Sequence, residues 1–358
     1  MKKAFNPDFL PIRLDDQSLI DILRRESDAR AKLERFNSML ERSIIREELL
    51  MLFSLDESVQ STKIEGTQAT FSEVVESEMT GKKNVDIQEV DNYVEAIRQG
   101  FNLLASIPIR TRLFHRLHKI ILNNARGQNR SPGNYRKIQN FIGPSNKIED
   151  ARYIPPESQN VERLIGNLER YINNEYDDQL GYIARAAVIH GQFETIHPYL
   201  DGNGRLGRII IILYLVNNNI LTSPTFFISE ELERSKFKYY GLLNNLRNDE
   251  PQWREWILYF IESTIKQANH YIEKLEKIEA LYKELVEYAN QKNIKTRTVN
   301  AIFKKPFFTV KYIQKEVGVS YNTAKRYIDG LVETGRIYPD DKKKNKIYRF
   351  YDLIDAMR

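Results

Sequence analysis

Cysteine is missing from all 358 residues. Its absence excludes disulfides, thiol nucleophiles and thiolate metal sites together, and it fits a reducing, cytoplasmic setting. Long apolar runs are missing too. The longest, Ile209-Ile210-Ile211-Ile212-Leu213-Tyr214-Leu215-Val216, falls far short of the roughly 20 residues that a bilayer span needs, so it reads as a buried helix. The opening stretch MKKAFNPDFLPIRLDD carries prolines and acids where a secretory signal would hold an unbroken apolar segment. Neither export nor membrane contact is expected. Tandem repeats and low-complexity segments are absent as well.

What is present is ordinary globular composition, 41% hydrophobic and 29% charged, in a chain long enough for about two domains or three with a linker. The net charge of +5 is unevenly spread. From Lys292 to Arg358 there are 16 Lys+Arg against 7 Asp+Glu, leaving the first 291 residues with 38 against 42. Any polyanion contact therefore belongs to the C-terminus.

Along the chain, Leu33, Phe36, Leu40 and Ile44 keep helical spacing within a stretch from about Leu19 to Ser58, predicting one long helix. A further helical segment holds STKIEGT, with Gly66 as its stop after Glu65. RTRLFHRLHKIILNN predicts a helix ending in the loop NNARGQNRSPGN. RKIQNFIG and ARYIPP predict two brief strands of a hairpin. A helix through GYIARAAVIHGQFETI follows, and Pro198 is expected to hold His197 extended. RIIIILYLVNNN must be a helix apolar nearly all round, hence central. From Ile265 to Lys292 the stripe Leu275, Ile278, Tyr282, Leu285 and Ala289 predicts a linker helix that permits a dimer. TVKYIQKEVGVSYNTAKRYIDGLVETG has the pattern of a helix-turn-helix, and RIYP with KIYRFY that of a wing. Its exposed candidates for phosphate contact are Lys325, Arg326, Lys342, Lys343, Lys344 and Lys346.

The chemistry concentrates in HPYLDGNGRLGR, His197 to Arg208. It contains G-x-G-x-x-G, but a helix and a proline precede it and Phe227 stands where a dinucleotide site needs an acid, so the Rossmann reading fails. A glycine-rich turn entering a helix exposes backbone N–H groups at the positive end of the helix dipole, where anions bind. Gly202 and Gly204 allow close approach, and Arg205 and Arg208, three apart, can hold one polyphosphate. Asp201 beside bound phosphate calls for a bridging cation, and Mg²⁺ held by one carboxylate and phosphate oxygens meets that need. His197 titrates near neutrality and can take a proton from an attacking hydroxyl. Together these parts specify transfer from a nucleoside triphosphate, ATP above all, to a hydroxyl. His115 and His118 share a helix face without a third ligand in view, so surface or core roles are expected. His190 is expected to pack on the helix before the motif, and His270 lies in the polar linker.

The stretch resembles the signature of the Fic family, HPFxDGNGRxxR, departing only at Tyr199, where the family has phenylalanine. The resemblance runs from about Arg110 to Ser263. It implies a mostly α-helical Fic-type domain with a β-hairpin flap, transferring AMP to protein hydroxyls with Mg²⁺. By position His197 becomes the base, Asp201 the metal ligand, and Gly202, Asn203, Gly204, Arg205 and Arg208 the nucleotide cradle. Glycine at 204 separates the chain from phosphorylating relatives with lysine there. RKIQNFIG is similar to the family's flap, with Gln139, Asn140, Phe141 and Ile142 as the edge that pairs with a target strand. KYYGLL resembles the adenine-side segment, with Tyr239 as wall and Tyr240 in the core. Ser61 to Gly66, STKIEG, is similar to the family's inhibitory pattern (S/T)xxxE(G/N), which implies that Glu65 pairs with Arg208 and misaligns ATP. The same glutamate could position water for removal of AMP.

The expected organisation is an N-terminal helical region with the inhibitory helix (1–108), a Fic catalytic domain (109–264), a helical linker (265–291) and a small winged-helix module (292–358). The expected function is autoinhibited protein adenylylation. The alternative is a nucleotide-sensing regulator that binds DNA through the winged helix.

Overall fold

The computed structural model describes residues 3–145, 147–176, 178–342 and 346–357. Helix dominates. The expected long N-terminal helix is two helices, α1 (Asp16–Arg42) and α2 (Arg46–Ile64), because the chain turns extended at Ser43 and buries Ile45. Two apolar stripes require the break. α1 lies mainly along the longest helix, whereas α2 turns to other neighbours, and the two meet where Phe53 packs on Phe36 (5.8 Å between ring centres) and on Tyr271 of the longest helix (4.7 Å). A capping box at Thr70 starts α3 (Phe71–Thr80), and Asn84 caps α4 (Val85–Leu104).

Then come α5 (Thr111–Ile121), α6 (Val161–Ile172), α7 (Tyr182–Ile196) and α8 (Asn203–Asn217). As its composition demands, α8 is buried on nearly every side and packs against α7, α4 and α5. The segment between α5 and α6 is less regular than expected. Among the described residues its predicted hairpin reduces to one antiparallel bridge, Ile142 with Tyr153, because Pro144 on one side and Pro155 on the other lack the N–H that the next rung of the ladder needs.

After α9 (Ser229–Arg234) and α10 (Lys236–Asn245), α11 (Trp253–Gln291) runs for 39 residues. It is not a free linker. Leu275, Ile278, Tyr282, Leu285 and Ala289 are all buried within the chain, against α1, α9, α12 and their neighbours, so the stripe that permitted a dimer is covered intramolecularly. Lys274, on the same helix, is buried between Asp56 of α2 (3.0 Å) and Glu230 of α9 (3.1 Å), fastening three helices together.

The C-terminal elements are α12 (Thr296–Lys304), β1 (Phe307–Phe308), α13 (Val310–Val317), α14 (Tyr321–Val332), β2 (Tyr338–Pro339), β3 (Tyr348–Arg349) and α15 (Tyr351–Met357). The three strands form one antiparallel sheet in the order β1-β3-β2. Gly318, at φ +68°, ends α13, and Ser320 caps α14. Lys343 and Lys344, expected as phosphate contacts, lie outside the described residues. One continuous apolar core joins these elements to the rest: α12 packs on α2 and α11, and β1 meets α3. Among the described residues no helix is long and apolar enough to cross a membrane.

Candidate active site

The site forms where α7 ends and α8 begins. α7 is buried throughout its length after Tyr182, so it delivers His197 from the middle of the core. The expectation of an extended His197 is not met: it takes the left-handed conformation, φ 48° and ψ 62°, with its N–H donating to the Phe193 carbonyl (2.9 Å). Pro198 disfavours the right-handed helical region, and the left-handed cap avoids that region while closing the helix and aiming the chain into the loop. Arg136 holds the turn. Its Nε donates to the His197 carbonyl (3.0 Å), and another guanidinium nitrogen reaches the carbonyls of Pro156 and Ile196.

The loop from His197 to Gly202 is fixed from beneath. Tyr199 is fully buried, its hydroxyl 2.9 Å from His115 Nδ1, which supplies the partner that tyrosine needs in place of phenylalanine. His118 stacks on the Tyr199 ring at 3.8 Å. Its Nδ1 accepts from the Gly133 N–H (2.9 Å) and its Nε2 donates to the Asp201 carbonyl (2.9 Å), which sets one tautomer. Burial holds this imidazole down to about 4, so it stays neutral. Both histidines are thus supports for the loop, not metal ligands. The Asn203 side chain turns to the loop itself. Its Oδ1 accepts from the Tyr199 N–H and its Nδ2 donates to the Tyr199 carbonyl, both at 2.9 Å, so it staples the loop. What Asn203 offers an anion is backbone, at the first turn of α8. Gly202, at φ +75°, caps that turn in a conformation that favours glycine.

Both arginines of the motif are buried. Arg205 Nη2 reaches Asp201 Oδ1 (3.1 Å), while its Nε and Nη1 are buried with no hydrogen-bond partner among the described residues. Arg208, 1% exposed, donates from Nε to Ser61 Oγ (2.7 Å) and from Nη2 to the Ser61 carbonyl (2.9 Å) and to Glu65 Oε1 (2.7 Å). Burial drives the Glu65 carboxyl up, but Arg208 outweighs it and keeps the group ionised, below its usual range. The same ion pair drives the Arg208 guanidinium up despite burial. Gly204 makes room: a Cβ there would stand 2.2 Å from Glu65 Oε1. Glu65 and Gly66 fall at the end of α2, with Gly66 at φ +100°.

His197 is held down to about 3, first by burial and then by Arg247, so its imidazole is in the base form. Glu194, one turn earlier, brings Oε2 to 3.8 Å from His197 Nδ1, and burial pushes its own carboxyl up to about 7. Asp201 is more than a third exposed on its side chain. Among the described residues no three His, Asp or Glu side chains gather into a metal site, so a cation at Asp201 would complete its shell with phosphate and water.

On one flank Asn140 Nδ2 donates to the Tyr199 carbonyl (3.1 Å), tying the bridge segment to the loop, and Gln139 Nε2 donates to the Pro155 carbonyl (2.9 Å). Gln139 to Phe141 belong to no ladder, so their backbone remains an edge, with Ile142 in the bridge. On the other flank the expectation for the two tyrosines is reversed. Tyr239 is 1% exposed and hydrogen-bonds His190 (2.9 Å), whereas Tyr240 is 38% exposed. In α10 the buried pair is Tyr239 and Leu243, four apart, which turns Tyr240 outward.

The Fic/DOC family model matches residues 108–215, and the Fic/DOC family N-terminal model matches residues 23–102. Among curated proteins, the protein adenylyltransferase Fic of Drosophila melanogaster is 23% identical over 264 residues, covering 72% of this chain and 49% of that protein. The Drosophila virilis protein of the same name is 23% identical over 266 residues, covering 72% and 50%. The chain thus spans about half the length of the curated relatives it matches. Two solved structures share the fold. A Fic family protein from Desulfovibrio desulfuricans G20 has a TM-score of 0.59 at 17% identity, covering 96% of this chain and 98% of that one. A variant of Fic-1 from C. elegans has a TM-score of 0.56 at 20% identity, covering 72% and 73%. With its motif loop, its helical fold and both family models in agreement, this chain belongs to the Fic/DOC family.

Proposed function

We propose that the chain is a protein adenylyltransferase that moves AMP from ATP to a hydroxyl side chain of another protein, restrained by Glu65. One observation carries this reading: two buried arginines, a neutral histidine and a helix N-terminus converge on one loop, and a carboxylate from α2 occupies the inner arginine. Phosphates fit the free amides of the first turn of α8, with the uncommitted Nε and Nη1 of Arg205 beside them. Asp201 would hold Mg²⁺, which when bound supplies neutralisation of phosphate charge. The hydroxyl oxygen attacks the α-phosphorus, the bond to the departing pyrophosphate breaks, and His197 takes the hydroxyl proton. Gln139 to Ile142 offer an extended target segment backbone pairing. Tyr240, rather than Tyr239, is the better placed wall for a base.

In this reading residues 1–108 carry the brake, 109–264 the chemistry and 292–358 a winged helix-turn-helix joined through α11. Incubation with magnesium and ATP labelled at the α-phosphate tests it. Label should appear on protein, rise with Glu65→Gly and vanish with His197→Ala. A folded Glu65→Gly chain that labels neither itself nor any protein of a lysate would overturn the proposal, as would a parallel incubation in which ATP labelled at the γ-phosphate transfers label and ATP labelled at the α-phosphate does not.

A further inference from the structure

An open groove of about 1010 Å³ lies between the end of α3 and the C-terminal elements. Lys82, Lys311, Lys325, Lys342 and Lys346 line it, against a single carboxylate, Asp329. That carboxylate is already engaged by Lys325 (2.5 Å), and Lys342 stands 3.9 Å from Asp340. Lys82 comes from a part of the chain more than 200 residues away from the others, so the groove is composite. Its walls are tied together: Glu76 of α3 pairs with Arg349 of β3 (3.1 Å), and Glu78 of α3 with Lys305 (3.2 Å). The charges of the groove therefore converge in the folded chain without closing the space between them.

We propose that this groove binds duplex DNA, taking the sugar–phosphate backbone of one strand while the adjoining stripe of α14 faces the major groove. Three features favour this partner. A row of lysines along an open channel neutralises a regularly charged backbone, and needs no match to the bidentate geometry that arginine provides for carboxylates. Asn322 and Arg326, exposed beside the Lys325 stripe, are side-chain types that read base edges. A helix of twelve residues, α14, enters the major groove of B-form DNA but not the narrow major groove of duplex RNA. An anionic membrane is a poorer fit, because the apolar residues of the lining, Val310, Ile347 and Tyr348, are buried and Met79 and Val332 partly so, which leaves Tyr321 rather than an aliphatic patch exposed there.

The full-length chain, without nucleotide, is titrated into a labelled 30-base-pair duplex of mixed sequence at several salt concentrations, followed by anisotropy. Binding should weaken with salt, with a log–log slope of roughly −3 to −5 for up to about five phosphate contacts. Lys82→Ala and Lys311→Ala should each weaken binding several-fold and flatten the slope by about 1, while exposed Lys277→Ala on α11 changes neither. No duplex binding at low salt overturns the proposal. So does unchanged affinity in the Lys82→Ala, Lys311→Ala double variant, or tighter binding of duplex RNA or of phosphatidylserine vesicles. Because binding is read without ATP or AMP transfer, its failure leaves the proposed adenylylation standing, and the reverse holds.

Discussion

Arg208 Nη2 lies 2.7 Å from Glu65 Oε1, across 143 positions of sequence, and the two ends of this pair are unequally buried. The guanidinium is 1% exposed, whereas the Glu65 side chain is 34% exposed. The carboxylate is therefore the partner that can leave. Ser61 holds the guanidinium in place through both its hydroxyl and its carbonyl, so release of Glu65 would free one edge of an arginine that is already oriented.

Glu65→Gln keeps the shape and removes the charge. A hydrogen bond to a charged group contributes about 1.5–3 kcal/mol, and about 1.4 kcal/mol is tenfold, so AMP incorporation should rise roughly ten- to a hundredfold. Initial rates of labelling at saturating ATP check this. An unchanged rate would show that the pair restrains nothing.

Asn203→Ala removes both hydrogen bonds to the Tyr199 backbone at a buried position. In the Glu65→Gly background, a loss of about 1–3 kcal/mol of loop order should lower the labelling rate at least several-fold. ATP affinity should change less, because the side chain faces the loop. Asn203→Asp, which sets a buried carboxylate oxygen against the Tyr199 carbonyl, should do at least as badly. Kinetics paired with an ATP binding isotherm separates the two effects.

Lys274→Met leaves the Asp56 and Glu230 carboxylates without their shared buried cation. Breaking such a site by removing one partner costs about 3–5 kcal/mol, read as a lower midpoint in urea. Adding Asp56→Asn should recover part of the loss. α2 carries both Asp56 and Ser61, so the single variant should also raise basal labelling.

Burial pushes the Glu57 carboxyl, beneath Arg208, up to about 8 against its Ser229, Arg208 and Tyr93 partners. The folded chain keeps a proton there that the unfolded chain releases above about pH 4.5. This contribution to stability is full below that pH and lost as pH rises through about 8. His118, His190 and His197, held by burial to about 4, about 3 and about 3, act in the opposite sense. Theirs is full above about pH 6.5 and lost as pH falls toward 3. Glu57→Gln should therefore gain on the parent between pH 5 and 8, by at most about 1.4 kcal/mol per pH unit. Urea melts across that range check it, and parallel curves for the two proteins would refute the assignment.

Much of the site was legible because its parts are contiguous. Glycines, a carboxylate, an imidazole and two arginines within twelve positions leave few arrangements open, and a helix apolar on all sides has to be central. The pairing of Glu65 with Arg208 was legible as a pattern only. Other supports were not, because their signal is distributed: His118 and Arg136 look like ordinary residues until the loop folds against them. Tyr239 and Tyr240 are adjacent and chemically equal, so only the register of α10 against the core decides which is buried.

The sequence by itself determined the chemistry of the turn, since its residue types allow little besides anion binding and proton transfer next to a buried helix. Tertiary structure alone decided what those residues touch. It gave Asn203 to the loop, brought Glu65 across to Arg208, covered the stripe of α11 within the chain and set Lys82 beside lysines from the far end. The physical reason is that periodicity and composition report local preference, whereas pairings between distant residues depend on which apolar faces close first around the core.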